Sequence, residues 1–295
     1  MATTRTLTAA TAGATIVDLS LLGIHGRVDV QAVPGLATAE ITISTTDDTG
    51  EAADAVTSAD LRWDPRGVLV ARVQGQGVGE GTTTIVSRSG RTITMQGIGT
   101  VYGSVTGMVI DGDLTIVGGR VVGGRGAALI QGPAPVVVAA RVPEDSSVIG
   151  RTQSADLTTT GRLTAVAATT QSGDLRVTTT NTFVDQVTAT TQSGDVSVGT
   201  ASTVSARTMS GDVVLERAVT AEAHTMSGDI RASWLGAGAD LQTMSGDIRA
   251  RAANPGAVTA GSMSGDVTVT ASPDAPAGGP DVRATSTTGQ VSIRR

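Results

Sequence analysis

A tripeptide, Ser-Gly-Asp, recurs along the second half of the chain, and its spacing constrains the fold more than any other feature. It stands at Ser172–Asp174, Ser193–Asp195, Ser210–Asp212, Ser227–Asp229, Ser245–Asp247 and Ser264–Asp266. A degenerate copy, Ser154-Ala155-Asp156, precedes the series, and Thr288-Gly289-Gln290 follows it. Successive aspartates are 18, 21, 17, 17, 18 and 19 residues apart, with 24 more to Gln290. A period near eighteen with small insertions marks a stack of similar supersecondary units.

The flanks repeat too. With Asp as position zero, plus one is always aliphatic, from Leu157, Leu175 and Val196 to Val267 and Val291. Minus eight is Val or Ala, minus six is Ala except at Gly150 and Leu241, and minus four is Thr or Ser throughout. Small apolar residues thus alternate with polar ones on both sides of the tripeptide, the period of a strand with one buried face. One such unit cannot bury its inner face alone. Stacking in register sets Val on Val, Ala on Ala and Thr on Thr, about 4.8 Å apart. Length changes fall between plus four and minus nine, as in Thr179–Asp185 and Ser272–Pro280, where a protruding turn tolerates them. A meander or propeller of hairpins about each Ser-Gly-Asp turn is the alternative, but it gives no reason for identical residues in identical columns.

Composition agrees. Aromatic residues are 1% of the chain, and its apolar volume is Val, Ala, Ile and Thr, which suits a thin core of stacked strands. The expected fold is therefore all-β, a parallel β-solenoid with repeats of about 18 residues. Three segments follow: an N-terminal β cap over 1–75, a Gly-rich β segment over 76–135, read as an insertion or narrow coils, and the solenoid proper over 136–295. In the first, alternation predicts strands at 14–20, 26–31, 39–45 and 68–73, with a short helix or acidic loop near 47–61. A cap is needed because an open first edge would recruit other chains.

The repeated Thr-[Gln/Met]-Ser-Gly-Asp-[Leu/Ile/Val] units, Gly26-Arg-Val-Asp-Val30, the stretch Val138–Val148 and the closing 288–295 together resemble the bacterial domain-of-unknown-function family 4097, described as adhesin-like proteins with β-strand repeats. Segment 81–126 departs from that pattern. The resemblance implies a single-stranded right-handed β-helix, and it carries no catalytic residues over.

The Asp column (Asp174, Asp195, Asp212, Asp229, Asp247, Asp266) has two readings. As a ladder of carboxylates it offers a row of cation sites. As turn chemistry, Gly supplies positive φ at the corner while Ser and Asp bond neighbouring backbone N–H groups. The Gly-Gly-x-Gly-x-Asp nonapeptide of calcium solenoids is absent, which favours the turn and gives no expected metal site. The column at minus three (Gln153, Gln171, Gln192, Met209, Met226, Met244, Met263) reads as corner packing, with a surface interaction strip as the alternative.

His25 and His224 stand alone, there is no Cys, and no nucleophile elbow or phosphate loop is present. Polysaccharide-cleaving enzymes also use parallel β-helices, but outward charges here are scattered Arg (Arg176, Arg231, Arg249). No enzyme and no cofactor is expected. A net charge of −6 argues against a nucleic-acid partner. No run is long enough for a transmembrane helix, and the weak N-terminal apolar stretch broken by Asp18 gives no signal peptide, so a cytoplasmic location is expected, with cell-surface association left open. The expected role is a non-catalytic structural or interaction module with a repetitive Thr/Ser/Arg face. A carbohydrate-binding or carbohydrate-active surface protein and a cation-loaded solenoid are the alternatives. Partner and oligomeric state stay open.

Overall fold

The computed structural model of the chain describes residues 2–75, 82–86, 92–96, 108–110, 114–117, 120–121, 134–179, 182–272 and 280–294. The N-terminal elements are β1 (Thr3–Thr8), β2 (Ile16–Leu22), β3 (Gly26–Val33), β4 (Glu40–Thr45), α1 (Glu51–Ser58), β5 (Asp60–Asp64) and β6 (Val68–Gln74). In the Gly-rich stretch, β7 (Thr82–Val86) pairs antiparallel with β8 (Thr92–Gln96). There too, β9 (Met108–Ile110), β10 (Leu114–Val117) and β11 (Arg120–Val121) form a small antiparallel sheet. The rest of the segment expected over 76–135 lies largely outside the described residues, as do 180–181 and 273–279 of the two variable turns.

The stack continues with β12 (Val136–Pro143), β13 (Ser146–Thr152), β14 (Asp156–Thr160), β15 (Leu163–Thr170), β16 (Leu175–Thr178), β17 (Val184–Thr191) and β18 (Val196–Thr208). It ends with β19 (Val213–Thr225), β20 (Ile230–Ser245), β21 (Ile248–Ala252), β22 (Ala257–Ser264), β23 (Val267–Ala271), β24 (Asp281–Ser286) and β25 (Val291–Arg294). Among the described residues, all strands but β7–β11 join one 20-stranded sheet, wrapped on itself as a barrel-like solenoid.

Each rung leaves a Ser-Gly-Asp corner along one wall, bends at the second turn, and returns along the other. Successive rungs pair in parallel: Leu175 lies opposite Val196, Val196 opposite Val213, Val213 opposite Ile230, and Ala189 opposite Ala206. A hairpin array would alternate direction, so the parallel register rules that architecture out.

Burial follows the columns. Leu175, Val196, Val213, Ile230, Ile248 and Val267 are buried at plus one, as are Ala168, Ala189, Ala206, Ala223 and Ala260 at minus six. The two exceptions at minus six have local reasons. A Cβ on Gly150 would stand 2.7 Å from a methyl of Leu157. Leu241 is buried in a rung whose plus-three residue is the small Ala250.

The N-terminal segment does more than sit on the end. β2 lies between β6 and β13, and β3 lies between β12 and β14, all parallel. The chain therefore makes rung β2–β3 early, returns to lay β6 and β12 on one side of it, and then places β13 and β14 on the other. Antiparallel strands close that far end, with β5 on β6, β4 on β12 and β1 on β4. The short helix α1 contributes Ala52, Ala53, Ala55 and Val56 to the buried core. Glu51 and Asp54 suit its N-terminal dipole, but eight residues are too few to hold a helix without such packing.

Candidate functional site

The Ser-Gly-Asp corner is the most repeated chemistry in the chain, and the Thr hydroxyls, Asp carboxylates and glycine backbone groups around it have defined tasks. The Thr at minus four is buried in each rung from Thr152 to Thr243, with Ser262 continuing the column. Thr170 Oγ1 accepts the N–H of Gly173 at 2.9 Å, and Thr191 Oγ1 accepts that of Gly194 at 2.9 Å. Hydroxyls of this column also donate to the glycine carbonyl one rung earlier, as Thr225 does to Gly211 (3.2 Å) and Thr243 to Gly228 (3.1 Å). The hydroxyls thereby serve buried corner groups that no strand reaches.

The aspartates form a second ladder. Asp174 Oδ1 accepts the N–H of Asp195 at 3.0 Å, Asp195 that of Asp212 at 2.9 Å, and Asp212 that of Asp229 at 2.8 Å. Asp229 accepts from Asp247 at 2.9 Å, Asp247 from Asp266 at 2.9 Å, and Asp266 from Gln290 at 2.8 Å. The bonds therefore run between rungs, not to adjacent residues as turn chemistry suggested. Parallel stacking puts each corner N–H directly over the previous carboxylate.

The glycines also differ from expectation. Positive φ among the described glycines falls at Gly13, Gly23, Gly35, Gly50, Gly67 and Gly161, none of them in a Ser-Gly-Asp corner. The corner glycine is needed for space. A Cβ on Gly194 would stand 2.0 Å from the carbonyl oxygen of Gly173, and one on Gly211 stands 2.1 Å from that of Gly194.

Beside the Asp column runs the outward column at plus two, where Arg176, Ser197, Val214 and Arg231 lie opposite one another in register, followed by Arg249 and Thr268. Arg231 reaches Asp229 at 2.8 Å and Asp212 at 3.6 Å, and Arg249 reaches Asp247 at 3.0 Å. Between Arg176 and Arg231 the short side chains of Ser197 and Val214 leave a shallow depression of about 290 Å³, edged by Asp174, Asp195 and Asp212. Among the described residues, no three His, Asp or Glu side chains gather as a metal-binding group.

The methionines of the minus-three column do not fill the corner as expected. Met209, Met226, Met244 and Met263 are 49%, 46%, 46% and 55% exposed. His224 lies 3.2 Å from Glu222 on the outer surface, and the carbonyl of His25 accepts the N–H of Val136.

The second-turn edge carries features that the repeat pattern gave no reason to single out. Arg217 lies 4.9 Å from the ring centre of Trp234. Phe183, Glu144, Asp185 and the ion pair Arg162–Asp145 (2.9 Å) line a depression of about 420 Å³. The variable turns supply these residues, so no column foretold them. Among the described residues, no helix is long and apolar enough to cross a membrane.

The solved structures that match the chain are distant from it in sequence. A "putative adhesin" from Bacteroides fragilis is 12% identical, with a TM-score of 0.42 over 98% of this chain and 96% of that one. A "putative adhesin" from Parabacteroides distasonis is 7% identical, with a TM-score of 0.45 over 99% and 97%. A "putative lipid binding protein" from the same organism is 10% identical, with a TM-score of 0.47 over 99% and 97%. No curated protein matches the chain. The model of the family described as Toastrack DUF4097 matches residues 134–295, from the start of β12 through the last rung. With more than half of its length matched, the chain belongs to the Toastrack DUF4097 family.

Proposed function

We propose that the chain is a non-catalytic, adhesin-like interaction module: a right-handed coil with repeats of about 18 residues, whose outward Thr/Ser/Arg columns meet a macromolecular partner. Residues 136–295 form its repetitive rod, 1–75 the closed end, and 76–135 an insertion. One observation carries this reading. The Asp, Thr and Gly chemistry that recurs in every rung is spent on bonds and close contacts within the stack, from Asp174 Oδ1 to Gly211. Away from the corners, the outward columns carry mainly short polar side chains and guanidiniums, the make-up of a binding surface rather than of a reaction site.

The test is capture from extracts of the native cell with immobilised protein, run beside a variant carrying Arg176→Gln, Arg231→Gln and Arg249→Gln. The expected result is a discrete macromolecule retained by the parent and lost by the variant. Identical captured material on both would overturn the assignment of this face. A glycan panel run with the same pair sorts carbohydrate from protein partners.

A further inference from the structure

The minus-three column changes character partway along the stack. Gln153 opens it, half-buried with its Oε1 accepting the N–H of Gly23; Gln171 and Gln192 come next, both exposed, and Met209, Met226, Met244 and Met263 then follow at about half exposure each. The backbone does not change with them. The carbonyl of Gln192 accepts the N–H of Ser210 at 2.9 Å, and that of Met209 accepts the N–H of Ser227 at 2.9 Å. The corner geometry therefore accepts a polar side chain equally well, and the fold has no structural use for Met there. Four adjacent rungs carry a row of flexible apolar side chains in water, roughly 14 Å from first to last.

The surroundings are acidic. Asp212, Asp229, Asp247 and Asp266 each follow a Met of the row by three residues, and Glu222 and Asp240 precede Met226 and Met244 by four. Of the guanidiniums on these walls, Arg207 pairs with Glu222, Arg231 with Asp229 and Arg249 with Asp247, and Arg283 follows one rung past Met263 in the column of Glu222 and Asp240. Carboxylates outnumber them, so a partner gains by bringing positive charge. A second copy does not fit, because it carries a net charge of −6 and the same acidic column.

Backbone chemistry selects the form of the partner. Along these rungs the corner N–H of Ser227 goes to Met209, that of Asp229 to Asp212, and that of Ile230 to Asp247. An arriving strand would find few backbone partners, whereas a helix comes with its own hydrogen bonds made. About ten residues of helix cover roughly 15 Å, the length of the strip. A single row of Met side chains fits the groove between two ridges of such a helix.

We propose that the Met209–Met263 strip is a docking surface for a basic amphipathic helix of a partner protein. This rests on the interaction-module reading but not on its Thr/Ser/Arg face.

The experiment uses the purified full chain and a dye-labelled synthetic peptide of Leu and Lys patterned as an amphipathic helix, followed by fluorescence anisotropy. Two controls carry Glu in place of Lys, or the same residues in scrambled order. The comparison protein carries Met209→Gln, Met226→Gln, Met244→Gln and Met263→Gln, with a Met226→Gln/Met244→Gln chain for use if the fourfold variant melts lower. The expected result is binding of the Lys peptide that weakens about tenfold or more in the Gln variant, with both controls at least about as weak. The variant lacking Arg176, Arg231 and Arg249 should keep peptide binding, which separates this surface from the outer face. Four outcomes would overturn the proposal: no binding, equal binding by parent and Gln variant, equal binding of the Glu peptide, or Met-dependent self-association in sedimentation.

Discussion

A Cβ on Gly228 would stand 2.1 Å from the carbonyl oxygen of Gly211, the glycine one rung before it. Neither residue has positive φ, so the constraint is distance between backbones and not conformational freedom. The clash is with main chain of the preceding rung, and relieving it means moving that rung. Gly228→Ala is expected to cost about 3 kcal/mol or more, a fall of roughly 10 °C in Tm. Gly261→Ala is the control: its nearest contact is Thr285 Oγ1 at 3.4 Å, and its cost should stay within about 0.5 kcal/mol. Equal melting of the two variants would remove the spacing argument.

The buried hydroxyl column gives a finer measurement. Thr191 is buried and its Oγ1 accepts the Gly194 N–H at 2.9 Å. Thr191→Val keeps the shape and removes the acceptor, leaving a buried donor unpaired, and should cost about 1–3 kcal/mol. Thr191→Ser keeps the oxygen, as Ser262 and Ser286 do in the same column, and should cost less than half as much. Denaturant titration of the three proteins decides it, and a Val variant as stable as the Ser variant would be the contrary result.

These tests mark where sequence and structure part company. The Val and Ala columns were legible because insertions fall only in the second turn, so alternation around each Asp carries straight into register, as in Val196 opposite Val213. The partner of the Asp carboxylate was not legible. Ser, Gly and Asp favour many local turns, and only the stack reveals that the acceptor for the Asp247 N–H is Asp229, eighteen residues away. The place of β2 and β3 was hidden for a different reason. Val17, Leu19 and Leu21 alternate as any half-buried strand does, and the corner at 23–26 has no Ser-Gly-Asp to announce it as a rung. The exposure of Met226 was equally hidden, since a period-two pattern assigns faces along a strand and says nothing at a corner.

The Asp ladder separates its two readings experimentally. If its main role is to accept the next corner N–H, Asp229→Ala strands the Asp247 N–H and should cost about 1–2 kcal/mol. Asp229→Asn keeps an acceptor oxygen and should cost clearly less, because the lost pairing with half-exposed Arg231 contributes little. Chelator should leave Tm unchanged. A rise in Tm that saturates with added calcium, abolished in the Asn variant, would instead establish a cation-loaded column through its preference for the folded state.

The Gly-rich stretch enters and leaves the stack at one corner. The N–H of Gly75 bonds the carbonyl of Leu22, and the N–H of Val136 bonds that of His25, so both ends are tied to rung β2–β3. β6 and β12 thus relate to each other as the two walls of an ordinary rung, with Leu22 opposite Gln74 and Arg27 opposite Val137. If 76–135 is an insertion at that corner, Ser-Gly in its place leaves as many residues between Gln74 and Val137 as separate Leu22 from Arg27. The buried residues on either side, Val73 and Val136, are untouched. The shortened chain should fold with a single cooperative transition within about 5 °C of the parent, since closing a shorter loop costs less entropy and the lost Asp47–Ala134 bond is only part-buried. Circular dichroism and calorimetry read the result. Loss of the transition would mean that the Gly-rich stretch holds rung β6–β12 together, and the division at 76–135 would have to be abandoned.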